Sequence, residues 1–224
     1  MRVASFLALF LLLSCSRPLT PSEIAFAQDI QGDTINTSKV RMTSDVPLGV
    51  ATFQIEKRPR LTCRERLFPE RDAKTVTVSP AAVVLWNRVL FSKDWYTADY
   101  LKDYPQQIDL VAAMLFAHEI THVWQWQNRD LTGYSPWGAA REHQNGSDPY
   151  LFDIETQTSF LDYGYEQQAS IVEEYLCCAL LDPDAPRTHR MKGLLDEVFP
   201  LQSLPQPDEV LLPWDGVELE GICQ

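Results

Sequence analysis

Positive charge is scarce in this sequence. Its 224 residues carry 19 Lys+Arg against 31 Asp+Glu, a formal net charge of −12. A nucleic-acid partner calls for a basic stripe, so none is expected. Glycine is scarce too, at 9 beside 15 prolines, which excludes collagen-like repeats and a simple linker protein. Nor are apolar residues depleted as in disordered chains: 45% of the residues are hydrophobic. The sequence shows no internal repeat and no break in composition, and its length suits one domain with a sizeable core.

The apolar run 3–13 would be only about 16 Å long as a helix, too short for a hydrocarbon layer of ~30 Å. Preceded by Arg2, it matches the apolar region of a secretory signal. Leu12-Leu13-Ser14-Cys15 resembles the bacterial lipobox, in which the cysteine is lipidated and becomes the new N-terminus; Leu13 is a less usual residue at its position. Residues 1–14 are therefore expected to be a lipoprotein signal peptide, with Cys15 the membrane anchor. The expected location is the bacterial cell envelope, facing the periplasm, and Ser16 favours the outer membrane. An ordinary cleaved signal with an incidental Cys15 is the alternative, and also exports the chain. Removing Cys15 from the five cysteines leaves Cys63, Cys177, Cys178 and Cys223. In an oxidising compartment these suit two disulfides. Side chains of adjacent helical residues diverge, so Cys177 and Cys178 are expected to pair with Cys63 or Cys223 rather than with each other. Four buried thiols are the alternative. A zinc ribbon is excluded, because it needs two Cys-x-x-Cys knuckles.

The rest of the chain, 15–224, reads as a single α+β domain. Thr20-Pro21-Ser22-Glu23 is a helix start, with a Thr cap, Pro at the first position and Glu three after the cap. Strands are expected at 39–43, 51–56 and 75–79; 83–90 is strand or helix. A long helix is expected over 106–127, a loop over 130–148, a hairpin from 150–154 and 158–163, and helices over 166–181 and 188–198. The proline-rich tail, about 200–224, is expected to form an extended surface strap.

Chemistry concentrates at residues 118–122. His118-Glu119-Ile120-Thr121-His122 is an H-E-x-x-H motif within a predicted helix. Histidines four apart share one face, so both imidazoles can reach one ion, with Glu119 beside them as a base. The chain has only 4 histidines, and this motif holds two. As a core coincidence, it would bury two imidazoles and a carboxylate without partners, at a cost. A catalytic zinc needs a third ligand. The extended form of the motif fails, because Gln125 and Asn128 stand where Gly and His are needed. Glu142 lies in a loop. Glu166 opens a strong helix, and Ala169 makes it E-x-x-A, small where two helices meet around an ion. Glu166 is therefore preferred. Glu173, seven residues on and on the same face, either orients a ligand histidine or is a solvated carboxylate. His143 is a reserve ligand or transition-state donor. Trp124 and Trp126 read as core or rim packing rather than cleft lining.

His118 to Gln127, HEITHVWQWQ, together with Glu166 to Tyr175, EQQASIVEEY, resembles a bacterial group of zincin-like metallopeptidases. The group is called Vgr-related and is related to a domain of extracellular contractile injection system proteins. Its members pair an HExTHVWQ helix with an EQQAxIVxDY helix. Residues 17–23 and Lys39-Val40-Arg41 are similar to the group's opening. The resemblance implies a minimal zincin-like domain in which His118, His122 and Glu166 bind Zn2+ and Glu119 is general base. Ser170 departs from many zincins with an E-x-x-A helix, which carry Asp after the Ala. The implied activity is zinc-dependent hydrolysis of a peptide or protein substrate, aligned by an edge strand from 75–79 or 83–90. The rival reading is a non-catalytic, zinc-stabilised envelope binding or assembly module, which would need no Glu119.

Overall fold

A computed structural model describes residues 16–144, 148–156, 158–201 and 204–224. The expected signal segment and the lipidation site Cys15 lie outside the described residues. The fold is mixed α+β, as expected. After β1 (Ser16–Arg17), the first helix, α1 (Pro21–Gln31), forms where the cap signature lies. The Thr20 hydroxyl accepts from the Glu23 amide (3.2 Å), and the Glu23 carboxylate accepts from the Thr20 amide (2.9 Å). Glu23 is fully buried, and its charge is met by a two-pronged contact from Arg17, both bonds 2.7 Å.

Five further strands and one short helix follow: β2 (Arg41–Val46), β3 (Phe53–Glu56), α2 (Cys63–Arg66), β4 (Thr75–Val78), β5 (Ala82–Leu85) and β6 (Arg88–Ser92). The main sheet runs β1-β2-β6-β5, with β2 parallel to β6 and β5 antiparallel to it. Segment 83–90 is thus neither one strand nor a helix but a hairpin turning at Trp86 and Asn87. Trp86 has φ +58°, a value that favours glycine, and the absence of glycine there hid the turn. The alternating segment 75–79 does form a strand, β4. Among the described residues it pairs only with β3, in a separate ribbon.

Next come β7 (Gln107–Asp109) and the long helix α3 (Leu110–Gln127). The helix begins at Leu110 rather than 106 because Asp109 caps it, accepting from the Ala112 amide (3.0 Å). Segment 130–148 holds two short helices instead of a plain loop: α4 (Arg129–Thr132) and α5 (Pro136–Glu142), the latter capped by Ser135 with Pro136 at its first position. The expected hairpin over 150–163 is not formed among the described residues. Asp148 and Asp153 accept from the amides two residues on, at 3.1 and 2.9 Å, and these local turns compete with a ladder. Phe160–Asp162 is a single 3-10 turn that drops Phe160 into the core.

Helix α6 (Tyr165–Leu181) and helix α7 (Pro186–Leu195) complete the helical layer, and β8 (Glu209–Leu211) in the tail pairs in parallel with β7. Disulfides join Cys63 to Cys177 and Cys178 to Cys223. The adjacent cysteines therefore diverge as expected, one towards α2 and one towards the tail. Arg66 also holds the tail end, donating to the carbonyls of Gly221 (2.6 Å) and Ile222 (3.0 Å). The expected surface strap is thus anchored at its end, with Ile222 and Cys223 buried. Helices α3 and α6 pack extensively on each other, and α3 also meets β5 and β6. Phe26, Phe91, Phe116 and Ile120 fill the space between α1, the sheet and α3. No helix among the described residues is long and apolar enough to cross a membrane.

Candidate metal centre

The pairing of α3 with α6 brings the sequence-predicted residues together. His118, Glu119 and His122 project from α3, Glu166 from the first turn of α6, and each is only 5–7% exposed. Oε2 of Glu166 lies 3.3 Å from Nε2 of His118 and 3.2 Å from Nε2 of His122. One donor atom from each of the three residues falls within 4.8 Å of the others.

Outer contacts fix which ring nitrogens face the centre. Nδ1 of His118 lies 3.2 Å from Oε2 of Glu173, which can only accept when ionised, so Glu173 is a buried, bonded carboxylate rather than a solvated one. Nδ1 of His122 donates to Oε1 of Gln125 at 2.8 Å. The Gln125 amide is itself oriented, because its Nε2 donates to the Tyr165 carbonyl (3.0 Å) and to Oε1 of Gln168 (2.9 Å). Gln168 in turn donates to the Tyr163 carbonyl (2.8 Å). With both Nδ1 atoms donating outward, both Nε2 lone pairs and a carboxylate oxygen converge. Three acceptors facing one another form a set that could hold a cation. In a tetrahedral shell with bonds of about 2.0 Å the ligand atoms stand about 3.3 Å apart. The donor set and the observed 3.2–3.3 Å spacings therefore fit zinc.

In the metal-free protein, protons take the cation's place. Burial opposes charging His118, but the bonds to Glu166 and Glu173 outweigh it and push its pKa up to about 10. His122 is also raised: burial opposes this, and the Glu166 charge prevails. Glu166 is held well below the usual carboxylate range, because His122, His118 and His143 together overcome its burial. Glu119 behaves differently. Burial raises its pKa, partly opposed by the charges of His118 and His122, while those of Glu166 and Glu173 raise it further. It is the acidic group of the cluster most ready to take a proton.

Glu142, the rejected ligand candidate, has a clear role. Its carboxylate accepts from the amides of Tyr165 (2.8 Å) and Glu166 (3.0 Å) at the start of α6. Gly164 makes room for it, since a Cβ there would stand 3.1 Å from Oε1 of Glu142. His143 lies at the site, with Nε2 3.2 Å from Oε1 of Glu166. Sequence reasoning missed two tyrosines. The Tyr134 ring stacks on His122 with centroids 6.0 Å apart, and Tyr150 lies 5.8 Å from His118 and 5.6 Å from His143. Both hydroxyls hold their protons above the usual tyrosine range, first through burial, then through the charges of Glu166 and Glu119. Only their position in the segment between the two helices could have pointed to them. Trp124 packs in the core against Phe199, and Trp126 stacks under Arg129, as the packing reading expects.

No family model matches the chain. The type VI secretion system spike protein VgrG2b of Pseudomonas aeruginosa is 26% identical over 181 residues, which cover 80% of this chain but 15% of that protein. The solved effector domain of Pseudomonas aeruginosa VgrG2b matches with a TM-score of 0.50 and 25% identity, over 87% of this chain and 93% of that one. The likeness thus lies with an effector domain of a spike protein, which agrees with the Vgr-related group named from the motifs.

Proposed function

We propose that the chain is a zinc-dependent metallopeptidase of the cell envelope. The observation that carries this reading is the convergence of His118, His122 and Glu166 beside the buried Glu119. The likeness to the VgrG2b effector domain supports an effector-type role; assembly of a secretion spike is not carried over from so small a share of that protein. Zinc held by the three ligands would polarise a substrate carbonyl and bring the pKa of a water near 7. Glu119 accepts the proton of the attacking water and passes it to the leaving amine. His143, Tyr134 and Tyr150, which flank the histidines, would supply N–H and O–H donors to the carbonyl oxygen as its charge grows. An extended substrate has a place along β5, an outer strand of the main sheet that also touches α3. Export and anchoring through Cys15, with the chain facing the periplasm, belong to the same proposal. The two disulfides suit that oxidising compartment.

One observation favours the rival reading. His143 is close enough to Glu166 to turn in as a fourth ligand, which would close the site and leave a structural zinc in a binding module. Hydrolysis of an unfolded, casein-like substrate separates the two. The peptidase reading expects cleavage that a hydroxamate blocks and that Glu119→Gln abolishes with zinc retained. Zinc-loaded protein that cleaves no peptide in a broad library supports the module.

A further inference from the structure

We propose that Arg64 is a positioning residue for the metal centre and that the Cys63–Cys177 disulfide holds it in place. The proposal rests on reading His118, His122 and Glu166 as metal ligands. Oε2 of Glu173 accepts two bonds, from Nδ1 of His118 (3.2 Å) and from Nη1 of Arg64 (3.1 Å). Glu173 is 6% exposed, so it is a buried anion that needs a fixed partner to keep one oxygen facing the imidazole. Arg64 supplies that partner from outside the α3–α6 pair.

Arg64 lies on α2, a helix of 4 residues. So short a helix has no stability of its own. Its seat on α6 is made by two ties next to Arg64. Cys63 is bonded to Cys177, and the Cys63 amide donates to Oε1 of Glu174 (2.9 Å). Arg187 donates to the same Glu174 oxygen (3.1 Å) and orients it. On α6, Glu173 and Cys177 are four residues apart, one turn along one face. On α2, Arg64 and Cys63 are neighbours. The covalent bond and the Arg64–Glu173 bond therefore lie side by side across the same pair of elements. Releasing the disulfide loosens the element that carries Arg64, leaving the bonds of the Cys63 amide to Glu174 and of Arg66 to the tail to hold it. A line of contacts runs from the disulfide through Arg64 and Glu173 to the outer nitrogen of His118.

The test is zinc affinity of the full chain, read by competition with a chromophoric chelator. Arg64→Met is expected to weaken binding about tenfold, and Arg64→Lys to restore most of it. The Arg64 side chain is 43% exposed, so its truncation opens no internal cavity. The pair Cys63→Ala and Cys177→Ala is expected to weaken zinc by a similar factor, and adding Arg64→Met to it should cost little more, since both act through one contact. If the cysteine pair fails to fold, the Arg64 variants, with the disulfide intact, decide the matter. The cobalt(II)-loaded protein adds a spectroscopic check: the ligand-field bands should move in Arg64→Met and return in Arg64→Lys. Wild-type affinity and an unmoved spectrum in Arg64→Met, or full additivity with the cysteine pair, overturn the proposal. A wild-type chain that takes no zinc overturns the metal centre itself, and is recognised because every variant is then silent.

Discussion

Gln125 offers a sharp perturbation because three buried bonds meet on its amide. Replacing it with Met keeps the approximate volume and removes the bonds to His122 (2.8 Å), the Tyr165 carbonyl (3.0 Å) and Gln168 (2.9 Å). Gln125 is fully buried, and His122 and Gln168 are at most 5% exposed, so water cannot readily take its place. Each partner left unpaired costs about 1–3 kcal/mol. Partial relaxation of Gln168 brings the expected loss of stability for metal-free Gln125→Met to about 3–5 kcal/mol, measured by urea denaturation. Zinc affinity should fall further on its own account. Without an acceptor at Nδ1, His122 is free to move its proton to Nε2 and aim a donor at the metal. A loss of about 10–100-fold in zinc affinity is expected from chelator competition. Wild-type zinc affinity in a folded Gln125→Met chain would refute the claim that this amide fixes the His122 tautomer.

In the metal-free protein, the raised pKa of His118 sets a pH dependence. Its folded value, about 10, lies above the unfolded ~6.5, so its contribution is full below about pH 6.5 and is lost as pH climbs towards 10, a decline of a few kcal/mol in the unfolding free energy measured by urea denaturation. Zinc affinity should run the other way, rising about tenfold or more per pH unit over this range, because binding expels at least that proton. Gly164→Ala pushes a methyl group to 3.1 Å from the Glu142 oxygen that caps α6, and should cost about 1 kcal/mol in thermal or urea unfolding. Trp86→Gly at φ +58° should be stabilising or neutral, within about 1 kcal/mol, whereas glycine at an ordinary strand position would destabilise.

The candidate metal centre was largely legible because its parts are local. An H-E-x-x-H on a helix fixes its own geometry, and a carboxylate opening a second helix needs only that the two helices pack. Glu173 was legible in position but not in role, since its exposure depends on Arg64, more than a hundred residues earlier in the chain. Tyr134 and Tyr150 arrive through irregular segments: the Thr132 hydroxyl accepts from the Tyr134 amide, and an Asp148 turn with Arg58 stacked on the ring at 4.8 Å places Tyr150, none of which leaves a periodic signal. The Ser135-Pro136 helix start carried the same signal as Thr20-Pro21 and was masked by the loop-like composition around it. The β5–β6 turn was hidden for the opposite reason: its positive-φ residue is a tryptophan. The tail's pairing with β7 is a contact between segments about a hundred residues apart, which no local pattern specifies.

The measurement that tests the central claim most directly is the zinc content of the purified chain by elemental analysis, beside Glu166→Ala and Glu119→Gln. The arrangement of His118, His122 and Glu166 predicts one zinc per chain in the wild type and in Glu119→Gln, and little or none in Glu166→Ala. A wild-type chain without zinc, or a Glu166→Ala chain that keeps it in full, would contradict the account.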